Sequence, residues 1–153
     1  MPPADPISSR AIVVSGRSKL LFLLLVAVQA AHSVEEYLTR LYVVFPPARY
    51  VSGLVSENRA SGFIVVNVAI IVLGVCCYAF PIRSGLKAGR LVAWLWLVME
   101  LANGTGHAWL AASAGGYFPG ALTGAALIVA ALGLAASLVV DTRGIIGDPE
   151  TNG

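Results

Sequence analysis

Two short stretches of this sequence hold the residue types that could do chemistry. His32-Ser33-Val34-Glu35-Glu36 brings an imidazole and two carboxylates close together, and Glu100, Asn103 and His107 follow at offsets of three and seven. Residues three, four and seven apart share a helix face, so the reading expects His32, Glu35 and Glu36 to point at one place and the later three to face them. A His and a carboxylate one turn apart, answered by a second imidazole on a facing helix, is how helical bundles build metal centres. A catalytic zinc-type ion takes three protein ligands and keeps one position for water. His32, Glu36 and His107 supply that set, for a divalent ion of the zinc, iron or manganese kind. Glu35 or Glu100 is then the general base that takes the proton from water.

The same groups also suit chemistry without a metal. Two carboxyl groups and an imidazole in a low dielectric can divide proton donation and acceptance between them, as isomerisation or cyclisation of an alkene-containing lipid requires. In that alternative Trp94, Trp96, Trp109 and Tyr37 line a pocket and stabilise developing positive charge through their ring faces. A third class is not enzymatic, a proton or cation carrier or an accessory membrane subunit using the same acidic layer. Four short spans with no evident inverted repeat or broken helix speak against a carrier. A homo-oligomer would supply what one chain lacks.

The elements that must position these residues are membrane helices. The 153 residues are 58% hydrophobic and only 12% charged, with a mean hydropathy of +0.81, more apolar than a soluble core of this size needs. A formal net charge of +2 gives no footprint for nucleic acid. The adjacent Cys76 and Cys77 lie in an apolar run and read as small buried hydrophobes without chemistry. Residues 1–18 read as a flexible N-terminal arm and 141–153 as a polar tail. Between them the reading expects an all-α, integral membrane four-helix bundle with spans at 19–45, 61–80, 91–114 and 117–140. Pro46-Pro47 stops the first span, and a polar loop with a short interfacial turn near Tyr50 to Val55 follows. A signal peptide at Lys19 to Val28 is set aside, because the apolar pattern resumes beyond it.

Seven Lys or Arg fall on the side of the termini (Arg10, Arg17, Lys19, Arg83, Lys87, Arg90, Arg143) and three on the other (Arg40, Arg49, Arg59). That asymmetry puts both termini in the cytoplasm. Counted from Lys19 and Arg90, the two clusters lie at a common depth of roughly 15–25 Å, towards the outer leaflet. Asn67 and Thr123 reach the same layer as polar pins between helices. Ionisable groups at such depth cost about 2.5–3.5 kcal/mol each, which marks the layer as a site.

His32-x-x-Glu35-Glu36, Asn103-x-x-x-His107 and Tyr117-x-Pro119-Gly120 together resemble the signature of the HXXEE-domain family, over about Lys19 to Val140. The resemblance implies a small integral membrane protein, placed in a bacterial cytoplasmic membrane, in which the His and Glu residues carry catalysis. It supplies no substrate. Tyr117 then enters as a hydroxyl reaching back over the site as a donor or lid. The leading expectation is metal-dependent hydrolysis of a membrane lipid or other apolar small molecule.

Overall fold

The computed structural model describes residues 14–146, and every regular element among them is helical. In chain order these are α1 (Gly16–Leu38), α2 (Leu41–Val44), α3 (Pro46–Val55), α4 (Arg59–Cys77), α5 (Lys87–Ser113) and α6 (Ala121–Ile146), with a π-helical turn at Tyr78–Ile82. Most of the expected N-terminal arm and the end of the tail lie outside the described residues. Within them, α1 already begins at Gly16, capped by the Ser15 hydroxyl accepting from the Ser18 N–H, and α6 continues past Val140.

Three helical stretches are long and apolar enough to cross a membrane, Gly16–Leu38, Arg59–Ile82 and Ala121–Arg143. The expected third span, α5, is longer, at 27 residues. It is not among them, and its middle carries Glu100, Asn103 and His107 together with two glycines. The expected first span of 19–45 is also corrected. Its helix ends at Leu38, because Arg40 adopts a left-handed conformation (φ 57°) that no α-helix continues through. Pro46 and Pro47 begin α3 instead of merely ending α1, since a proline in the first helical turn forfeits no hydrogen bond. At the other end of the molecule Pro81 does not stop the chain's helical path. The widened turn, closed by Arg83 N–H on the Tyr78 carbonyl at 2.8 Å, accommodates a ring that an α-turn would exclude.

Helix α6 packs most extensively against α5 and α1, α4 lies against the other side of α1, and α3 folds back onto α4. Gly104 and Gly124 let α5 and α6 approach backbone to backbone, since a Cβ on Gly104 would run into the Gly124 carbonyl. The core between α1, α5 and α6 is built from Phe22, Leu25, Trp96, Leu97, Leu127 and Leu134, all buried. Contacts of α5 with α1 and α4 are sparse. The resulting gap is a cleft of about 450 Å³ roofed by α3.

Candidate functional site

The site is set by where three helices end. His32 and Glu36 lie near the C-terminus of α1, His107 near that of α5, and the turn leading into α6 crosses above them. All three side chains are buried, His32 completely. The Glu36 Oε1 lies 3.1 Å from His107 Nε2 and 3.4 Å from His32 Nε2. The two rings meet edge to face, with centroids 4.7 Å apart. One ligand atom from each residue falls within 4.8 Å of the others.

Hydrogen bonds assign the protons on both rings. His107 Nδ1 lies 2.6 Å from the Pro119 carbonyl, which can only accept, so Nδ1 carries hydrogen. His32 Nδ1 lies 2.9 Å from the Thr123 hydroxyl. That hydroxyl spends its one hydrogen on Glu35 and therefore accepts from His32. With Nδ1–H on both neutral rings, both Nε2 lone pairs converge on one carboxylate oxygen. Three acceptors cannot meet without a positive partner between them. A single proton satisfies the His107–Glu36 contact and leaves His32 Nε2 without a hydrogen-bond partner, as it stands here. Protonating both rings would set two buried imidazolium ions against one carboxylate, a costly arrangement. One divalent ion satisfies all three atoms together. Ligand atoms about 2.0–2.2 Å from a tetrahedral ion lie about 3.3–3.6 Å from each other, close to the two Glu36–imidazole separations. The residues present fit a metal ion.

Glu35 takes a different direction from Glu36. One residue further round the helix, its carboxylate accepts from the Tyr117 hydroxyl (2.6 Å), the Leu122 N–H (3.2 Å), the Thr123 N–H (2.7 Å) and the Thr123 hydroxyl. Gly120, at the start of α6, has no side chain to cap that helix, and Glu35 does so from α1, satisfying N–H groups that otherwise lack acceptors. A carboxylate so occupied has little capacity left to act as base. Glu35 joins α1 to α6 and, through Thr123, sets the orientation of His32.

The Tyr117-x-Pro119-Gly120 turn is part of the same construction. Tyr117 donates to Glu35, Pro119 accepts from His107, and Gly120 lies against both rings. A Cβ at Gly120 would stand 2.6 Å from His107 Cε1 and 2.9 Å from His32 Cε1, and its φ of +86° favours glycine in any case. Desolvation, then the hydrogen bond and charge of Glu35, raise the Tyr117 pKa above the ordinary phenol value, so the hydroxyl keeps its proton at neutral pH.

Glu100 lines the cleft alongside Glu36 and His107. It is 1% exposed, and its Oε1 has no hydrogen-bond partner. Asn103 lines the same cleft, lies beside Glu100 and donates to Gln29 Oε1 (3.4 Å). Gln29 in turn donates to Ser33 (3.2 Å), and Ser33 donates to Asn67 (2.7 Å). Gln29 and Ser33 escaped the sequence reading. Their signal was the spacing of four that puts them on one face of an otherwise aliphatic helix. The aromatic lining expected for the metal-free alternative is not found at this cleft. Trp96 is in the core against Phe22, Trp109 and Tyr37 are exposed, and the aromatic walls are Phe45 and Phe63.

No curated protein and no solved structure shows significant similarity to this chain. One family does match, over residues 23–134, and it is described as a protein of unknown function with HXXEE motif. The match contains both histidines, every carboxylate of the cluster and the Tyr117–Gly120 turn; the chain belongs to the HXXEE family.

Proposed function

We propose that this protein is a membrane-embedded, metal-dependent hydrolase with four spans, α5 being the third of them. The outward face of α5 supports its place in lipid, since Leu91, Leu95, Val98 and Met99 are exposed while Glu100 and His107 are buried. Twenty-seven residues at about 1.5 Å each are ample to cross a hydrocarbon layer. Both termini are then cytoplasmic, and the site lies in the outer half of the bilayer.

The observation that carries the enzymatic reading is the convergence of two proton-assigned imidazoles on Glu36, with His32 Nε2 left unpartnered, at the edge of a cleft. His32, Glu36 and His107 would hold the ion, which polarises a water and the scissile carbonyl when bound. Glu100, the carboxylate of the cleft with an unpartnered oxygen, takes the proton from the attacking water and returns it to the leaving group. Water's oxygen bonds to the acyl carbon as the acyl–heteroatom bond breaks. Glu35, Thr123, Pro119 and Tyr117 hold the imidazoles in place.

Metal analysis of protein purified in mild detergent tests the reading. Near-stoichiometric zinc, iron or manganese is expected in the wild type and in Glu100→Gln. His32→Ala, Glu36→Ala and His107→Ala should each lose it, with affinity falling by more than the about 10–100-fold typical of losing a supporting partner. Folded wild type that neither copurifies with metal nor takes it up would overturn hydrolysis and leave acid–base isomerisation or cyclisation as the reading to pursue.

A further inference from the structure

The charges around the cleft say what kind of molecule it accepts. Its walls come from five helices and are mostly aliphatic or aromatic, and the ionisable groups among them are Glu36, Glu100 and His107. Among the described residues no Lys or Arg lines it. Sites that hold phosphate or carboxylate provide a guanidinium, an ammonium or a helix N-terminus with free N–H groups. Two helix N-termini adjoin this region: Glu35 already occupies that of α6, and that of α3, whose Pro47 and Ala48 line the cleft, opens with two prolines that carry no N–H. An anionic headgroup would thus find no guanidinium or ammonium to hold it, and Glu100 on the wall would repel it.

The mouth of the cleft points the same way. Exposed residues on its rim are Pro47 and Val51 of α3 and Met99 of α5, all apolar. Met99 sits midway along α5, so the opening faces the hydrocarbon layer and not the aqueous surface. Inside, the polar groups not committed to the cluster are the carboxamides of Gln29, Asn67 and Asn103 and the Ser52 hydroxyl, neutral groups suited to a carbonyl or hydroxyl.

We infer that the cleft binds an uncharged lipid, one apolar chain carrying an ester, amide or hydroxyl head, which enters sideways from the bilayer, and that it excludes anionic lipids. The inference deepens the hydrolase reading and rests on it for the placement of the head at the cluster. With a divalent ion on two neutral imidazoles and Glu36, and with Glu100 ionised, the cluster sums to zero. A cationic amine gains no attraction there and loses its hydration.

The test uses the full chain in phosphatidylcholine nanodiscs with three photoreactive probes of one acyl chain bearing a diazirine, a monoacylglycerol, a lysophosphatidate and a long-chain amine. Label is mapped to the peptides containing Ile70 and Met99, with excess unlabelled monoacylglycerol as competitor. Competable labelling by the monoacylglycerol should exceed that by either charged probe about tenfold or more. Glu100→Gln, of the same shape, should raise labelling by lysophosphatidate relative to that by the neutral probe. Ile70→Trp, which fills the cleft, should abolish competable labelling without changing metal content. Equal or stronger labelling by a charged probe, or no competable labelling at all, overturns the inference. Metal content measured on the same preparation keeps the two proposals apart. Metal-free protein that still prefers the neutral probe would sink the hydrolase reading alone, and metal-loaded protein labelled equally by lysophosphatidate would sink this inference alone.

Discussion

The bundle has a polar cluster at each end, and the two are built to opposite effect. At the end where α1 begins, Ser18 bonds Ser137 at 2.8 Å and donates to Asp141 at 2.7 Å, which also accepts from the Ser15 N–H at 3.1 Å. Arg90 donates to the Leu138 carbonyl (3.0 Å) and to Thr142. Donors there find acceptors, Arg90 Nη1 apart. At the other end His32 Nε2 and Glu100 Oε1 have no partner, the imidazole at the cluster and the carboxylate on the wall of a 450 Å³ cleft. Buried polarity by itself therefore does not mark a site in this fold. Unsatisfied buried lone pairs are the better pointer, because the cost of leaving them so is recovered only when something binds.

Substitutions can separate the closed cluster from the open one. The largest effect is expected from Gly120→Ala, where strain at positive φ and collision with both imidazoles should cost about 1–3 kcal/mol and remove bound metal. Thermal melting and metal content of the purified variant check this, and full metal occupancy would mean the rings are not packed against Gly120. Thr123→Val comes next. It removes the acceptor that fixes the His32 tautomer, so metal affinity should fall about 10–100-fold, while Thr123→Ser retains it in a competition titration with a chelating dye.

Ser137→Ala probes the closed end. It should lower stability by about 0.6–1 kcal/mol, because Ser18 keeps its bond to Asp141, and leave metal affinity unchanged. A metal defect in this variant would break the distinction between the two ends. The smallest effect is expected from Tyr117→Phe. Glu35 keeps its three other donors, so affinity should fall only a few-fold, on the order of one neutral-to-charged hydrogen bond at a largely exposed position. Since the Tyr117 pKa is raised, its hydroxyl remains a donor across the neutral range. The ratio of wild-type to Tyr117→Phe affinity should therefore stay constant between about pH 6 and 9, measured by the same titration. A ratio that collapses within that window would show the phenol ionising there.

Local periodicity determined a good deal of this. A spacing of four puts His32 and Glu36 on one face, a spacing of seven puts Glu100 and His107 on another, and apolar runs of membrane length make the elements helical whatever their neighbours. Helix ends were less legible. The break at Arg40 depends on a left-handed residue that no glycine announces, and Pro81 is carried by a π-turn whose energy depends on how the chain packs around it. The separation of Glu35 from Glu36 could not be read at all. Adjacent residues differ by about 100° on a helix, and which of the two faces the second imidazole depends on where α6 begins. Only tertiary structure decided that Glu35 caps α6, that Thr123 and Pro119 assign the imidazole protons, and that α5 stands off from α1 and α4 to leave a cleft. Those facts are distances between segments 12 to 91 residues apart, set by close approach at Gly104, Gly120 and Gly124, and one-dimensional spacing contains no record of them.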